Sequence, residues 1–194
     1  MGCSNKNKMK HICVFCGSSI GAREIYRDTA RALGGEIARR GIDLVYGGSN
    51  IGLMGVIADA TLAAGGKATG IMPTHLIQKE IMHTHLTELR VVNTMHERKA
   101  LMADLADGFI ALPGGFGTYD EFCEIVTWAQ LGLHQKPCAL LNVEGYYDPL
   151  ITMIDRAVQE GFVRADHRAM LIISAEISDL LDQMQNYRAQ AVRK

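Results

Sequence analysis

Apolar positions along this chain cluster in short continuous runs, and between the runs they recur every three or four residues. The runs lie at 11–16, 42–46, 68–72, 89–92, 109–112 and 138–141, with a weaker one at 171–173. Runs of this length without apolar–polar alternation read as strands buried on both faces. Pro73 is expected to stop the third. In the first interval Tyr26, Ala30, Leu33 and Ile37 keep helical spacing up to Gly41, and further helices are predicted at about 53–64, 96–106, 119–131, 149–160 and 176–190. Strands alternating with helices predict a parallel sheet covered on both sides. Right-handed crossovers then give a three-layer α/β fold, a Rossmann-like doubly wound sheet, in a single domain at 11–190 that follows a basic tail at 1–10.

Ligands in such sheets bind beyond the carboxyl ends of the strands. Three loops of small residues follow strands here: Gly17-Ser18-Ser19, the segment 47–52, and the segment 113–118. The third belongs to L-P-G-G-F-G-T-Y-D-E-F at 112–122. A glycine-rich turn leaves backbone N–H groups uncovered, and the free donors and positive end of the next helix lie beside them, which suits a phosphate. Thr118 adds a hydroxyl, and Glu121 follows one turn later. The pair also reads as a capping box, with Thr118 as N-cap and Glu121 reaching back. Three glycines ahead of Thr118 exceed what a cap requires and tilt the reading toward a ligand site. The dinucleotide fingerprint G-x-G-x-x-G is absent from the first strand–helix turn, which disfavours NAD.

Composition narrows the partners. Hydrophobic residues make up 48% of the 194, charged residues 21%, and the net charge is −1. That balance fits a soluble globular domain and argues against nucleic-acid binding, whereas a small phosphorylated ligand needs only local positive charge. The apolar runs are too short for a membrane span, and Lys6 breaks the myristoylation pattern begun by Gly2, so a cytoplasmic protein is expected. Cys13 and Cys16 have redox spacing but lie in one predicted strand, where residues three apart face opposite ways. With Cys3, Cys123 and Cys138 they are expected to be plain thiols of a reducing compartment. His83 and His85 have metal-like spacing without a recognisable third ligand, so no metal is expected.

The loops at 47–55 (G-G-S-N-I-G-L-M-G) and 113–121 (P-G-G-F-G-T-Y-D-E), with M-H-E-R-K at 95–99, T-W-A-Q-L-G at 127–132 and L-N-V-E-G-Y-Y at 141–147, together resemble the LOG family of cytokinin riboside 5′-monophosphate phosphoribohydrolases over about 12–162. The resemblance implies hydrolysis of the N-glycosidic bond of an adenosine 5′-monophosphate, N6-substituted or not, to free base and ribose 5-phosphate, without cofactor. It implies Arg98 and Glu121 as catalytic residues. The amides of Gly114, Gly115 and Gly117 with the Thr118 hydroxyl suit the 5′-phosphate, and Glu121 suits the positive charge that develops on the ribose. Lys99, Glu80 and Thr127 follow from the resemblance as substrate contacts; Ser18, Gly47, Gly48, Met95, Phe116, Tyr119 and Asp120 complete the candidate binding set.

Arg98 and Lys99 also read as solvated charges on a helix's first turn, although cations there oppose the helix dipole and a nearby anion would help explain them. Alternatives are a broader purine or pyrimidine nucleotide 5′-monophosphate nucleosidase, and a non-catalytic nucleotide carrier, against which Glu121 argues. A lysine decarboxylase would need pyridoxal phosphate on a Schiff-base lysine, and no lysine has a suitable setting. The helix after Thr118 carries Phe122, Cys123, Ile125, Val126, Trp128, Ala129, Leu131 and Leu133, which point in more directions than one apolar stripe covers. A homodimer, or a higher oligomer, is therefore expected. The resemblance implies sites at the subunit boundary, where Thr127 or Glu80 would reach the other chain.

Overall fold

The computed structural model describes residues 9–77 and 82–189. Strands and helices alternate as the apolar pattern requires: β1 (His11–Phe15), α1 (Glu24–Arg39), β2 (Asp43–Tyr46), α2 (Gly52–Ala63), β3 (Ala68–Pro73), α3 (Thr74–Ile77), β4 (Glu88–Val92), α4 (Met95–Leu105), β5 (Gly108–Ala111), α5 (Phe116–Gln130), β6 (Cys138–Leu141), α6 (Asp148–Gln159), α7 (Ala165–Arg168), β7 (Leu171–Ser174) and α8 (Ile177–Asn186). Among the described residues the seven strands form one parallel sheet in the order β4-β3-β2-β1-β5-β6-β7. The order reverses between β1 and β5, which run in register from Ile12 opposite Gly108 to Phe15 opposite Ala111. Such a reversal opens a crevice at the strand ends.

The inner strands bury both faces, whereas β4 at the margin leaves Glu88 and Val91 exposed. Ile12 and Val14 of β1 join Leu44, Ile110, Leu33 and Ile57 under α1, α2 and α8, while Cys13 and Phe15 join Val45, Phe109, Met102 and Phe122 under α4 and α5. Cys16 lies in the first cluster and Cys13 in the second, so the C-x-x-C thiols sit on opposite sides of the sheet. Both are free, as are Cys123 and Cys138. No helix among the described residues is long and apolar enough to cross a membrane.

Three details depart from the sequence reading. β3 does end at Pro73, but the proline is its last residue rather than the first beyond it, in register with Val92 of β4. The short helices α3 and α7, and the single 3₁₀ turn Val143–Gly145, were not predicted; three or four residues carry no periodic signal. Most consequential, α5 begins at Phe116, three residues before the predicted start, with Gly115 as its N-cap.

Candidate active site

The turns after β1, β2 and β5 are stitched together through their backbones. The Gly17 amide donates to the Pro113 carbonyl (3.1 Å), and the Leu53 amide donates to the Gly17 carbonyl (3.0 Å). Small residues are a steric condition of this approach. Gly52 has φ +60°, and a Cβ on it would lie 2.2 Å from the Ser18 carbonyl carbon. A Cβ on Gly114 would lie 2.1 Å from Thr118 Oγ1 and 2.9 Å from the Gly17 nitrogen.

The turn into α5 settles how its polar backbone is used. Four successive carbonyls are occupied: Leu112 accepts from the Tyr147 hydroxyl (2.6 Å), Pro113 from the Gly17 amide, Gly114 from the Tyr146 hydroxyl (2.5 Å) and Gly115 from the Tyr119 amide (3.1 Å). The amides of Gly114, Gly115, Phe116, Gly117 and Thr118 have no acceptor among the described residues. Gly115 to Thr118 line a cleft of about 230 Å³, together with Cys16, Gly17, Ser18, Met54, Met95, Arg98, Asp120 and Glu121. Unpaired donors beside a helix N-terminus make an anion-binding concavity. The capping-box reading fails here, because Thr118 is already the third residue of α5 and Glu121 the sixth, beyond reach of the N-cap amide. Thr118 is buried, and its hydroxyl has no partner among the described residues.

Arg98 enters the cleft from α4. That helix is capped by side chains: Thr94 Oγ1 accepts from the Glu97 amide (3.1 Å) and Glu97 Oε2 from the Asn93 amide (2.8 Å). Arg98 is not a solvated charge, being only 6% exposed. Its Nη2 donates to the Gly47 carbonyl (3.2 Å), Nη1 lies 3.8 Å from Met95 Sδ, and Nε is buried without a partner. Among the described residues no carboxylate pairs with it. A buried guanidinium lacking a counter-ion is costly, and a bound anion offsets that cost.

Glu121 makes no hydrogen bond among the described residues. Burial pushes its carboxyl from 4.5 up to about 7, against the downward pull of Arg98 and with further upward pressure from Asp120. Lys99 is otherwise engaged: its ammonium bridges Asp120 (3.0 Å) and Glu124 (3.1 Å), with the side chain 11% exposed. Burial alone would lower its pKa, but the two carboxylates outweigh that and raise it.

The remaining candidates divide. Ser18 and Met95 line the cleft, Gly47 holds Arg98, and Phe116 stands 92% exposed at the mouth, edge-on to Tyr119 (6.4 Å, 84°). Tyr119 itself turns away, its hydroxyl 2.8 Å from that of Tyr146. Gly48 packs against Gly70 of β3. Thr127 donates to the Cys123 carbonyl (2.7 Å) and lines a separate groove of about 190 Å³ between α5 and α6–α7. Glu80 lies outside the described residues. His83 contacts Asp59 Oδ1 through Nε2 (2.9 Å) and accepts from the His85 amide at Nδ1 (3.2 Å), an arrangement that closes a loop. Sequence reasoning missed the roles of Tyr146, Tyr147 and the Thr94–Glu97 cap; the T-M-H-E pattern at 94–97 was the available signal for the last.

A family model described as "Possible lysine decarboxylase" matches residues 54–184. The "Cytokinin riboside 5'-monophosphate phosphoribohydrolase LOG1" of Arabidopsis thaliana is 48% identical over 182 residues, covering 94% of this chain and 85% of the relative. The phosphoribohydrolase LOG of Oryza sativa subsp. japonica is 47% identical over 182 residues, covering 94% and 75%. Among solved structures, the molybdenum cofactor binding protein of Rippkaea orientalis superposes with a TM-score of 0.70 at 22% identity, covering 93% of this chain and 98% of that one. The molybdenum cofactor carrier protein of Chlamydomonas reinhardtii gives 0.68 at 19%, covering 92% and 99%. These two likenesses concern the fold alone.

Proposed function

We infer, because this chain belongs to the LOG family of cytokinin riboside 5′-monophosphate phosphoribohydrolases, that it hydrolyses the N-glycosidic bond of an adenosine 5′-monophosphate, with or without an N6 substituent. The products are the free base and ribose 5-phosphate. One observation carries the reading: residues 115–118, whose four consecutive amides have no acceptors among the described residues, line a cleft that also holds Arg98, without a salt-bridge partner, and the unbonded Glu121.

In this reading the 5′-phosphate occupies the amides and Thr118, and its charge supplies the counter-ion that Arg98 lacks. Bond cleavage leaves positive charge on the ribose, which the Glu121 carboxylate stabilises while it takes a proton from the attacking water. The water oxygen bonds to C1′, and the leaving base carries away the bonding electron pair and acquires a proton. A carboxyl that titrates near 7 suits proton transfer at neutral pH. Decarboxylation, which the family model's description suggests, fits poorly: a Schiff-base lysine must be neutral to attack, and Lys99 is held charged between two carboxylates.

The working unit we propose is a homodimer. No residue of α6 is buried, although Leu150, Ile151, Ile154, Ala157 and Val158 share one half of its surface, and Leu131, Leu133 and Phe162 are exposed nearby. A two-fold copy covers these faces and places Thr127 at the boundary. Free thiols at 13, 16, 123 and 138 support a reducing, cytoplasmic setting.

The test is product analysis with AMP, N6-isopentenyl-AMP and adenosine in parallel. Release of base and ribose 5-phosphate from the nucleotides, and slow reaction of adenosine, is the expected result. No base released from either nucleotide would sink the reading, and equal rates for AMP and adenosine would sink the phosphate site.

A further inference from the structure

The segment Val143–Gly145 with the two tyrosines after it lies outside the cleft and has no part in the chemistry above, yet it is built with care. Glu144 has φ +50°, the single non-glycine residue with positive φ among those described, and its carboxylate is held by Arg23 (3.0 Å). Asn142 closes the turn from both sides: its Oδ1 accepts from the Tyr147 amide (2.7 Å) and its Nδ2 donates to Asp148 (2.8 Å). A non-glycine residue in the left-handed region costs about 1 kcal/mol or more and persists when its surroundings fix it. What this turn delivers is two adjacent phenol hydroxyls at two carbonyls, those of Leu112 and Gly114, at either side of Pro113.

We propose that Tyr146 is a positioning residue for the 5′-phosphate, acting by holding the Gly114 carbonyl away from the cleft so that the Gly115 amide in the same peptide unit faces it; Tyr147 holds the Leu112–Pro113 unit, which carries no N–H, and so anchors only the base of the turn. The proposal rests on the phosphate reading of the 112–118 turn. The physical argument concerns peptide planes. A peptide unit that turns its N–H toward an anion must turn its C=O the other way, and a Pro-Gly-Gly turn has few side chains to hold that choice. The Gly114 carbonyl and the Gly115 amide belong to one unit, so the Tyr146 bond sets the direction of the first amide lining the cleft. The hydrogen-bond directions are forced. A carbonyl only accepts, so the Tyr146 proton points at Gly114, and Tyr119 must donate to the Tyr146 oxygen. Tyr119 stands in the first turns of α5, and the relay therefore ties the helix to the loop it caps. Burial, reinforced by Tyr119, pushes the Tyr146 phenol up to about 12, which keeps the donor protonated at working pH.

The test uses the full chain with Tyr146→Phe, Tyr147→Phe and a control, Tyr26→Phe. Tyr26 touches Tyr146 edge-on (5.7 Å) but gives the turn no hydrogen bond. Affinities for ribose 5-phosphate and for adenosine are measured by calorimetry, and kcat and KM for AMP alongside. Tyr146→Phe should weaken ribose 5-phosphate binding about tenfold and raise KM for AMP similarly, with adenosine affinity unchanged, and Tyr147→Phe should have the smaller effect. Tyr26→Phe should behave as the parent. A general loss of structure would lower both affinities together, and that outcome refutes the positioning role, as does unchanged ribose 5-phosphate binding in Tyr146→Phe. If the parent itself binds ribose 5-phosphate no better than ribose, the phosphate site and the proposal fall together.

Discussion

Replacing Glu121 by Gln should make the protein more stable and nearly inactive, and both effects depend on pH in a calculable way. The carboxyl titrates near 7 in the folded chain against an ordinary 4.5, chiefly because burial disfavours its charged form. Each tenfold change in proton affinity corresponds to ~1.4 kcal/mol, so ionised Glu121 destabilises the fold by about 3 kcal/mol. The sign follows from which state holds the proton. Below pH 4.5 the group is protonated folded or unfolded and costs nothing. As pH rises from 4.5 toward 7 the unfolded chain releases the proton first, stability falls, and above 7 the full penalty stands. Glutamine cannot ionise, so Glu121→Gln should melt about 6–10 °C above the parent at pH 8 and together with it near pH 4. Activity runs the other way. If the carboxylate is the active form, kcat/KM of the parent should rise about tenfold between pH 6 and pH 8. The variant should lose roughly a hundredfold or more, and its remaining rate should be flat over that range. Thermal melts at the two pH values and initial rates of base release decide the matter. Equal melting temperatures at pH 8, or a parent whose rate ignores pH from 6 to 8, would refute the assignment of a half-buried, proton-exchanging carboxylate.

Arg98→Lys should not rescue function, because a point charge cannot keep both the Gly47 carbonyl contact and a forked approach to an anion; a loss of about a hundredfold in kcat/KM is expected from steady-state kinetics. Gly114→Ala should cost about 1–3 kcal/mol in a denaturant titration and weaken ribose 5-phosphate binding, since its methyl meets Thr118 and the Gly17 backbone. Val126→Asp, in the groove between α5 and α6–α7, should lower activity and solution mass together by light scattering; a fully active monomer of 21.3 kDa refutes the dimer.

The sheet was legible because its inner strands are buried on both sides, which leaves continuous apolar runs; strand positions follow within a residue or two. The start of α5 was not. Gly115 and Gly117 have poor helix propensity, and what extends the helix to Phe116 is the tertiary anchoring of the preceding carbonyls by Tyr146, Tyr147 and Gly17. Arg98 and Lys99 are neighbours in sequence with opposite fates, one buried without a carboxylate and one bridging two. That distinction is set by Asp120 and Glu124, more than twenty positions away, and no local pattern carries it. The phenol-to-carbonyl bonds are hidden for the same reason, since an aromatic pair just ahead of a helix reads as packing.

The reversal of strand order between β1 and β5 also divides the cleft by its kinetics. Both strands are flanked on either side by others, so their ladder amides open only when the whole sheet does. The Gly17 and Pro113–Gly115 turns hang directly from these strands and inherit their rigidity, although the unpaired cradle amides are themselves open to exchange. Arg98 instead rides on α4, which follows β4 at the sheet margin, where Val91 is 54% exposed. Marginal strands fray at lower free energy than central ones. The anion cradle therefore hangs from strands that open last, whereas the chain that leads into the arginine's helix comes from one that frays, and among the bonded amides hydrogen exchange should find the fast clock in β4 rather than in α4, where Arg98, Met102 and Ala103 are buried.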